Sequence, residues 1–223
     1  MIYLHGFASG AASSKATYLG RRLREHGSEL QTPDLNLPDF STLTVTRMLE
    51  QTRALLEASA EPQTLIGSSL GGFVAVNAAV QNPGRVNRLV LLAPALDFGG
   101  NRMRQLGSVG LEQWKASGQL PVFHYGYGCV VPVHYELYED ARRYDAFNAD
   151  VQMPILIFQG RRDDAVDPKT VEAWASRRPN AELHLLDDDH QLTSSLPYIW
   201  ETLWSFLTSK SLDSPLESDR ARP

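Results

Sequence analysis

The segment Gly67-Ser68-Ser69-Leu70-Gly71 carries a G-x-S-x-G pattern. It lies between a short apolar run, Thr64-Leu65-Ile66-Gly67, and a small-residue helix pattern from Ser69 to about Gln81, ended by Asn82-Pro83-Gly84. A tight strand-to-helix turn lifts the central hydroxyl out of the sheet, and the flanking glycines leave room for the close approach. The helix N-terminus adds a positive dipole end where an oxyanion forms. Ser69 is the central residue. Ser68 fails the register, because Ile66 stands where its glycine belongs. A Walker A loop is excluded, since no Gly-Lys-Ser/Thr follows. The bland reading is a Gly/Ser-rich turn before a helix; the strand and helix on either side favour a nucleophile.

A serine hydroxyl needs a base, and the base needs an orienting carboxylate. Two later loops supply them, each just past an apolar run. After Pro154-Ile155-Leu156-Ile157-Phe158 comes a loop with Asp163, Asp164 and Asp167, and after the Glu182 to Leu186 run comes Asp187-Asp188-Asp189-His190. His190 is the one histidine after Ser69 in such a loop. His184 lies inside a strand pattern, and His124 and His134 lie in a long irregular stretch. For the acid, Asp163 and Asp164 compete, while Asp167 reads as a helix cap before Pro168. The Asp187–Asp189 run lacks the spacing and turn glycine of a cation loop, so no metal is expected.

Two backbone N–H groups should face a developing oxyanion. Leu70, directly after the nucleophile, offers one. The loop His5-Gly6-Phe7-Ala8-Ser9-Gly10, after the apolar Ile2-Tyr3-Leu4, offers the other through Phe7, with Gly6 leaving space for substrate. His5 precedes the serine and is expected to brace this loop.

The elements that must position these groups alternate along the chain. Short apolar runs, read as buried strands, are separated by segments of helical period, such as Val45, Met48, Leu49, Thr52, Leu55 and Leu56. Ser14 is a candidate cap for a helix carrying Tyr18, Leu19 and Leu23. A weak strand around Leu30-Gln31-Thr32 is broken by Pro33. Leu196, Ile199, Trp200, Leu203 and Leu207 mark one face of a last amphipathic helix. About six strands, mostly parallel, with helices on both faces are expected. With 223 residues, the chain can bury roughly 70% of its unfolded surface. A net charge of −5 argues against nucleic-acid binding. The lone Cys129 allows no internal disulfide framework. The start carries no signal-peptide pattern and no run approaches the ~18 apolar residues of a membrane span, so a soluble, cytoplasmic protein is expected. Residues 1–209 read as one domain and 210–223 as a flexible tail rich in Ser, Asp, Pro and Arg.

Taken together, HGF near the start, GSSLGG, the Asp163 loop and His190 resemble the α/β-hydrolase superfamily over nearly the whole chain. HGFASG followed by SSKA resembles small bacterial esterases of the YqiA type. GSSLGG, with Trp114 to Gly118 and Tyr135 to Ala141, resembles the acyl-glucuronide esterase and acyl-protein thioesterase branch. The resemblance selects Asp163 as the acid, through Gly160, Asp163 and Val166 of a G-x-x-D-x-x-V pattern. It implies an α/β-hydrolase fold lacking the first two strands of larger members, and a Ser69-Asp163-His190 triad needing no cofactor.

Residues 97–147 break the strand–helix rhythm. They hold nine of the chain's 20 aromatic residues, which points to a cap over one end of the sheet. Phe123, Tyr125 and Tyr127, set among glycines, are candidates for contact with an apolar substrate. The expected function is hydrolysis of a small carboxylic ester through an acyl-enzyme. Acyl-thioesterase and serine peptidase are the alternatives within the class, and a catalytically silent binding protein the alternative outside it. A small-molecule acyl ester, and no nucleic acid or membrane, is the expected partner, with the chain a monomer or homodimer.

Overall fold

A computed structural model describes residues 1–98 and 106–209. The tail 210–223 and residues 99–105 of the inserted segment lie outside the described residues. Five strands, β1 (Ile2–Leu4), β2 (Gln63–Ser68), β3 (Val86–Leu92), β6 (Ile155–Gly160) and β7 (Ala181–Leu186), form a parallel sheet in the order β1-β2-β3-β6-β7. The register aligns Ile66 with Tyr3 and Val90, and Val90 with Leu156.

Strand side chains alternate between faces, and both faces here are apolar. Tyr3, Ile66, Val90, Leu92, Leu156 and Phe158 pack on one side with α1 (Ser14–Glu25) and α7 (Leu196–Thr208). Ile2, Leu4, Leu65, Leu89, Leu91, Ile155 and Ile157 pack on the other with α2 (Val45–Ala58), α3 (Leu70–Gln81) and α6 (Pro168–Ala175). Each such fully buried side chain contributes about 1.5–3 kcal/mol. Helix α3 is buried nearly all round, which its Gly and Ala content permits.

Three features differ from the sequence expectation. The sixth strand shrinks to one parallel bridge between Ile2 and Gln31, where Gln31 N–H donates to Met1 O and Tyr3 N–H to Gln31 O. Pro33 has no N–H with which to extend that ladder. Ser13, not Ser14, caps α1, its Oγ accepting from the Ala16 N–H. The inserted segment holds helices α4 (Gly107–Ser117) and α5 (Glu136–Ala141). It also holds an antiparallel hairpin, β4 (Gln119–His124) with β5 (Cys129–His134). Pro121 faces Pro132 across this two-stranded sheet. Proline is tolerated on edge strands, yet in sequence it reads as a strand breaker, which concealed the hairpin.

Two of the contacts that anchor the inserted segment, among the described residues, lie near the ends of other elements. Asp140 of α5 accepts from the N–H and hydroxyl of Thr46 at the start of α2 (2.7 and 2.5 Å). At the hairpin turn, Tyr125 N–H donates to Ala8 O at 2.8 Å, in the loop after β1. Among the described residues, no helix is long and apolar enough to cross a membrane.

Candidate active site

The strand–helix turn after β2 holds Ser69 at φ 52° and ψ −117°, in the left-handed region that L-residues avoid. Such a residue costs of order 1–3 kcal/mol and persists only where its surroundings hold it. Here they do. Ser69 N–H donates to Leu92 O (3.0 Å), and Ser69 O accepts from Gly72 (2.9 Å) and Ala95 (3.0 Å). The neighbouring glycines are required by space. A Cβ on Gly67 would sit 2.4 Å from Gly71 O, and one on Gly71 would sit 2.0 Å from Leu4 O. A Cβ on Gly72 would lie 2.7 Å from that of Pro94, so a third glycine of this turn is also steric.

Ser69 Oγ lies 3.1 Å from His190 Nε2, and His190 Nδ1 lies 2.8 Å from Asp163 Oδ2. The three residues come from the carboxyl ends of β2, β7 and β6, where open parallel sheets place their sites. With a proton on Nδ1, the imidazole donates to Asp163 and presents an accepting Nε2 to the serine hydroxyl. Asp163 is shielded from solvent, whereas Asp164 is exposed. The second oxygen of Asp163 accepts from Ala165 N–H (2.9 Å) and Val166 N–H (2.8 Å), and Gln159 Nε2 donates to Oδ2 (2.8 Å). Burial by itself raises this carboxyl's pKa. The hydrogen bond and charge of His190, with the Val166 and Gln159 donors, outweigh it and hold the group below its ordinary value.

Gly6 lies against Ser69: a Cβ there would sit 3.2 Å from Ser69 Cβ and 3.8 Å from its Oγ. Phe7 follows, its ring packed on Phe40 (5.4 Å) and Phe98 (6.3 Å). Leu70 is the first residue of α3, where N–H groups have no partner within the helix. His5 is buried; its Nδ1 bonds Gly6 O (3.0 Å) and its Nε2 accepts from Leu35 N–H (3.0 Å). It braces the loop, and burial pushes its pKa down, which suits the neutral accepting form.

The hairpin aromatics are largely exposed. Phe123, Tyr125 and Tyr127 are 50%, 77% and 50% exposed, and it is the backbone of Tyr125 that meets the loop after β1. His124 is fully buried beneath the turn, stacked on Tyr127 at 3.7 Å. His184 pairs instead with Tyr198 and Glu182. The acidic run before His190 serves the loop itself. Asp187 pairs with Arg162, Asp188 accepts from the N–H groups of Asp189 and Ser195, and Asp189 accepts from that of Gln191.

Gly160, part of the G-x-x-D-x-x-V pattern, lies under the loop of His190. Sequence reasoning missed two residues that organise the site. Gln159 is a buried polar residue at a strand end. Lys15 donates from α1 to the carbonyls of His190 and Gln191. The apolar run before Gln159 and the SSKA tetrapeptide were the available signals.

The comparisons agree with this architecture. The chain is similar to the mitochondrial palmitoyl-protein thioesterase ABHD10 of Bos taurus, 25% identical over 207 residues, covering 86% of this chain and 67% of the relative. Its fold is similar to that of mouse alpha/beta hydrolase domain-containing protein 10, with a TM-score of 0.74 at 20% identity over 92% of this chain and 88% of the other. It is also similar to Est1E from Butyrivibrio proteoclasticus, with a TM-score of 0.77 at 19% identity over 92% and 85% of the two chains. The chain has the α/β-hydrolase fold, and with residues 1–208 matching the family model it belongs to the Uncharacterised protein family (UPF0227).

Proposed function

We propose that this protein is a serine carboxylesterase working through an acyl-enzyme. The observation that carries the reading is the unbroken hydrogen-bonded line from Ser69 through His190 to buried Asp163. Ser69 Oγ attacks the acyl carbon as His190 Nε2 takes its proton. Asp163 holds the imidazole tautomer and stabilises the imidazolium. The N–H groups of Phe7 and Leu70 bind the oxyanion. His190 then protonates the departing alcohol oxygen as the C–O bond breaks, and next removes a proton from water, whose oxygen attacks the acyl-enzyme. Every group needed is a side chain or backbone N–H of this chain.

Phe123, Tyr125 and Tyr127, at the hairpin that touches the loop after β1, are proposed to contact the apolar part of the substrate. A cytoplasmic setting is part of the proposal, supported by the single exposed Cys129 and the absence of a disulfide framework. Thioester hydrolysis is the second reading, favoured by the similarity to the bovine palmitoyl-protein thioesterase. Initial rates on matched p-nitrophenyl esters and acyl-thioesters of two to sixteen carbons separate the two. Fastest turnover of short oxo-esters supports the carboxylesterase; a preference for long thioesters replaces it with the thioesterase.

A further inference from the structure

Helix α1 begins within one turn of the loop after β1. Ser13 N–H donates to Gly10 O at 3.1 Å. Lys15, the second residue of α1, is only 6% exposed. Its ammonium crosses to the loop after β7 and donates to Gln191 O at 2.9 Å and to His190 O at 3.3 Å, 175 residues away in sequence. The charged groups facing it are Asp163 from the loop after β6, and Asp188 and Asp189 from the loop after β7. Burial pushes its pKa down to about 8, against the pull of those three carboxylates. A buried ammonium is costly to hold, and here its hydrogen bonds converge on the backbone of the candidate base.

We propose that Lys15 is the positioning residue of the base: by binding the carbonyls of His190 and Gln191 it sets the imidazole's reach to Ser69 and couples the base loop to the loop carrying the oxyanion donor. The proposal rests on the reading of Ser69 as nucleophile and His190 as base. Charge-assisted hydrogen bonds are roughly twice as strong as neutral ones. The grip therefore weakens when the ammonium loses its proton, and the rate falls with it.

The test is the pH dependence of p-nitrophenyl butyrate hydrolysis between pH 6 and 10 by the full chain, Lys15→Met and Lys15→Arg. The wild type should lose kcat/KM above about pH 8. Lys15→Met, which keeps the apolar stem, should lose about 10- to 100-fold of kcat at pH 7.5 with KM within about threefold, since small misplacements of a reacting group cost that much. Lys15→Arg, whose guanidinium stays charged, should recover most of kcat and carry the alkaline fall beyond pH 10. A Lys15→Met protein with wild-type kcat and the same alkaline fall overturns the proposal. Should that variant not fold, a Lys15→Arg profile with its fall still near pH 8 overturns it equally. Failure of the underlying reading looks different: the wild type itself is inert and Ser69 resists a fluorophosphonate.

Discussion

A Cβ placed on Gly160 would lie 2.5 Å from the carbonyl oxygen of Asp189, the residue before His190. The end of the strand before Asp163 is thus pressed against the loop of His190. Gly160→Ala must push that loop outward, lengthening the reach from His190 to Ser69. Steady-state kinetics should show kcat lowered by about 10- to 100-fold, and calorimetry a loss of about 1–3 kcal/mol from overpacking.

Asp163→Asn keeps the shape of the acid and inverts its role, because an amide nitrogen facing His190 favours the wrong imidazole tautomer. A loss in kcat of about 10⁴ at neutral pH is expected. The same carboxyl, held below its ordinary value of 3.8, favours the folded state. That contribution is complete above pH 3.8 and fades as the pH falls through the lower, folded value. Thermal midpoints between pH 6 and 2.5 should fall more steeply for the wild type than for Asp163→Asn.

His5 accepts from Leu35 N–H through Nε2 and must be neutral to do so. Its folded pKa lies below 6.5, so the unfolded chain binds the proton more readily. The contribution of His5 is present above pH 6.5 and is lost as pH falls from 6.5 towards the folded value. His5→Phe leaves the Leu35 N–H buried without its acceptor and should cost about 1–3 kcal/mol in denaturant unfolding at pH 7.5.

Gly71→Ala tests the turn at Ser69. Its Cβ would stand 2.0 Å from Leu4 O, a backbone atom that cannot swing aside. Little soluble protein, or a protein without its cooperative transition, is expected from expression and thermal melting. Gly10→Ala, with nothing within 4 Å of its Cβ, should behave as wild type in the same assay.

The parts of this protein legible in sequence are those dictated by local sterics and periodicity. The apolar runs at Leu65-Ile66 and Ile155 to Phe158 read as strands because both their faces are buried. Gly67 and Gly71 mark the turn because backbone sits where their side chains would be. Helix starts were legible where a short polar side chain precedes them, as with Asp167, though for α1 the cap is Ser13 and not the expected Ser14. Asp163 was selected over Asp164 by resemblance to a G-x-x-D-x-x-V pattern; the physical surroundings seen in the fold are the donors of Gln159, Ala165 and Val166 around Asp163. Long-range contacts were not legible. Lys15 reads as a surface charge on α1 until the fold brings the His190 carbonyls to it.

Ser69 is the proposed nucleophile. Intact-mass spectrometry after exposure to a fluorophosphonate, followed by peptide mapping, is the direct test. One adduct per chain is expected, on Ser69, absent from Ser69→Ala and formed much more slowly in a His190→Ala protein. A wild-type chain that stays unmodified, or an adduct that persists in Ser69→Ala, contradicts that role.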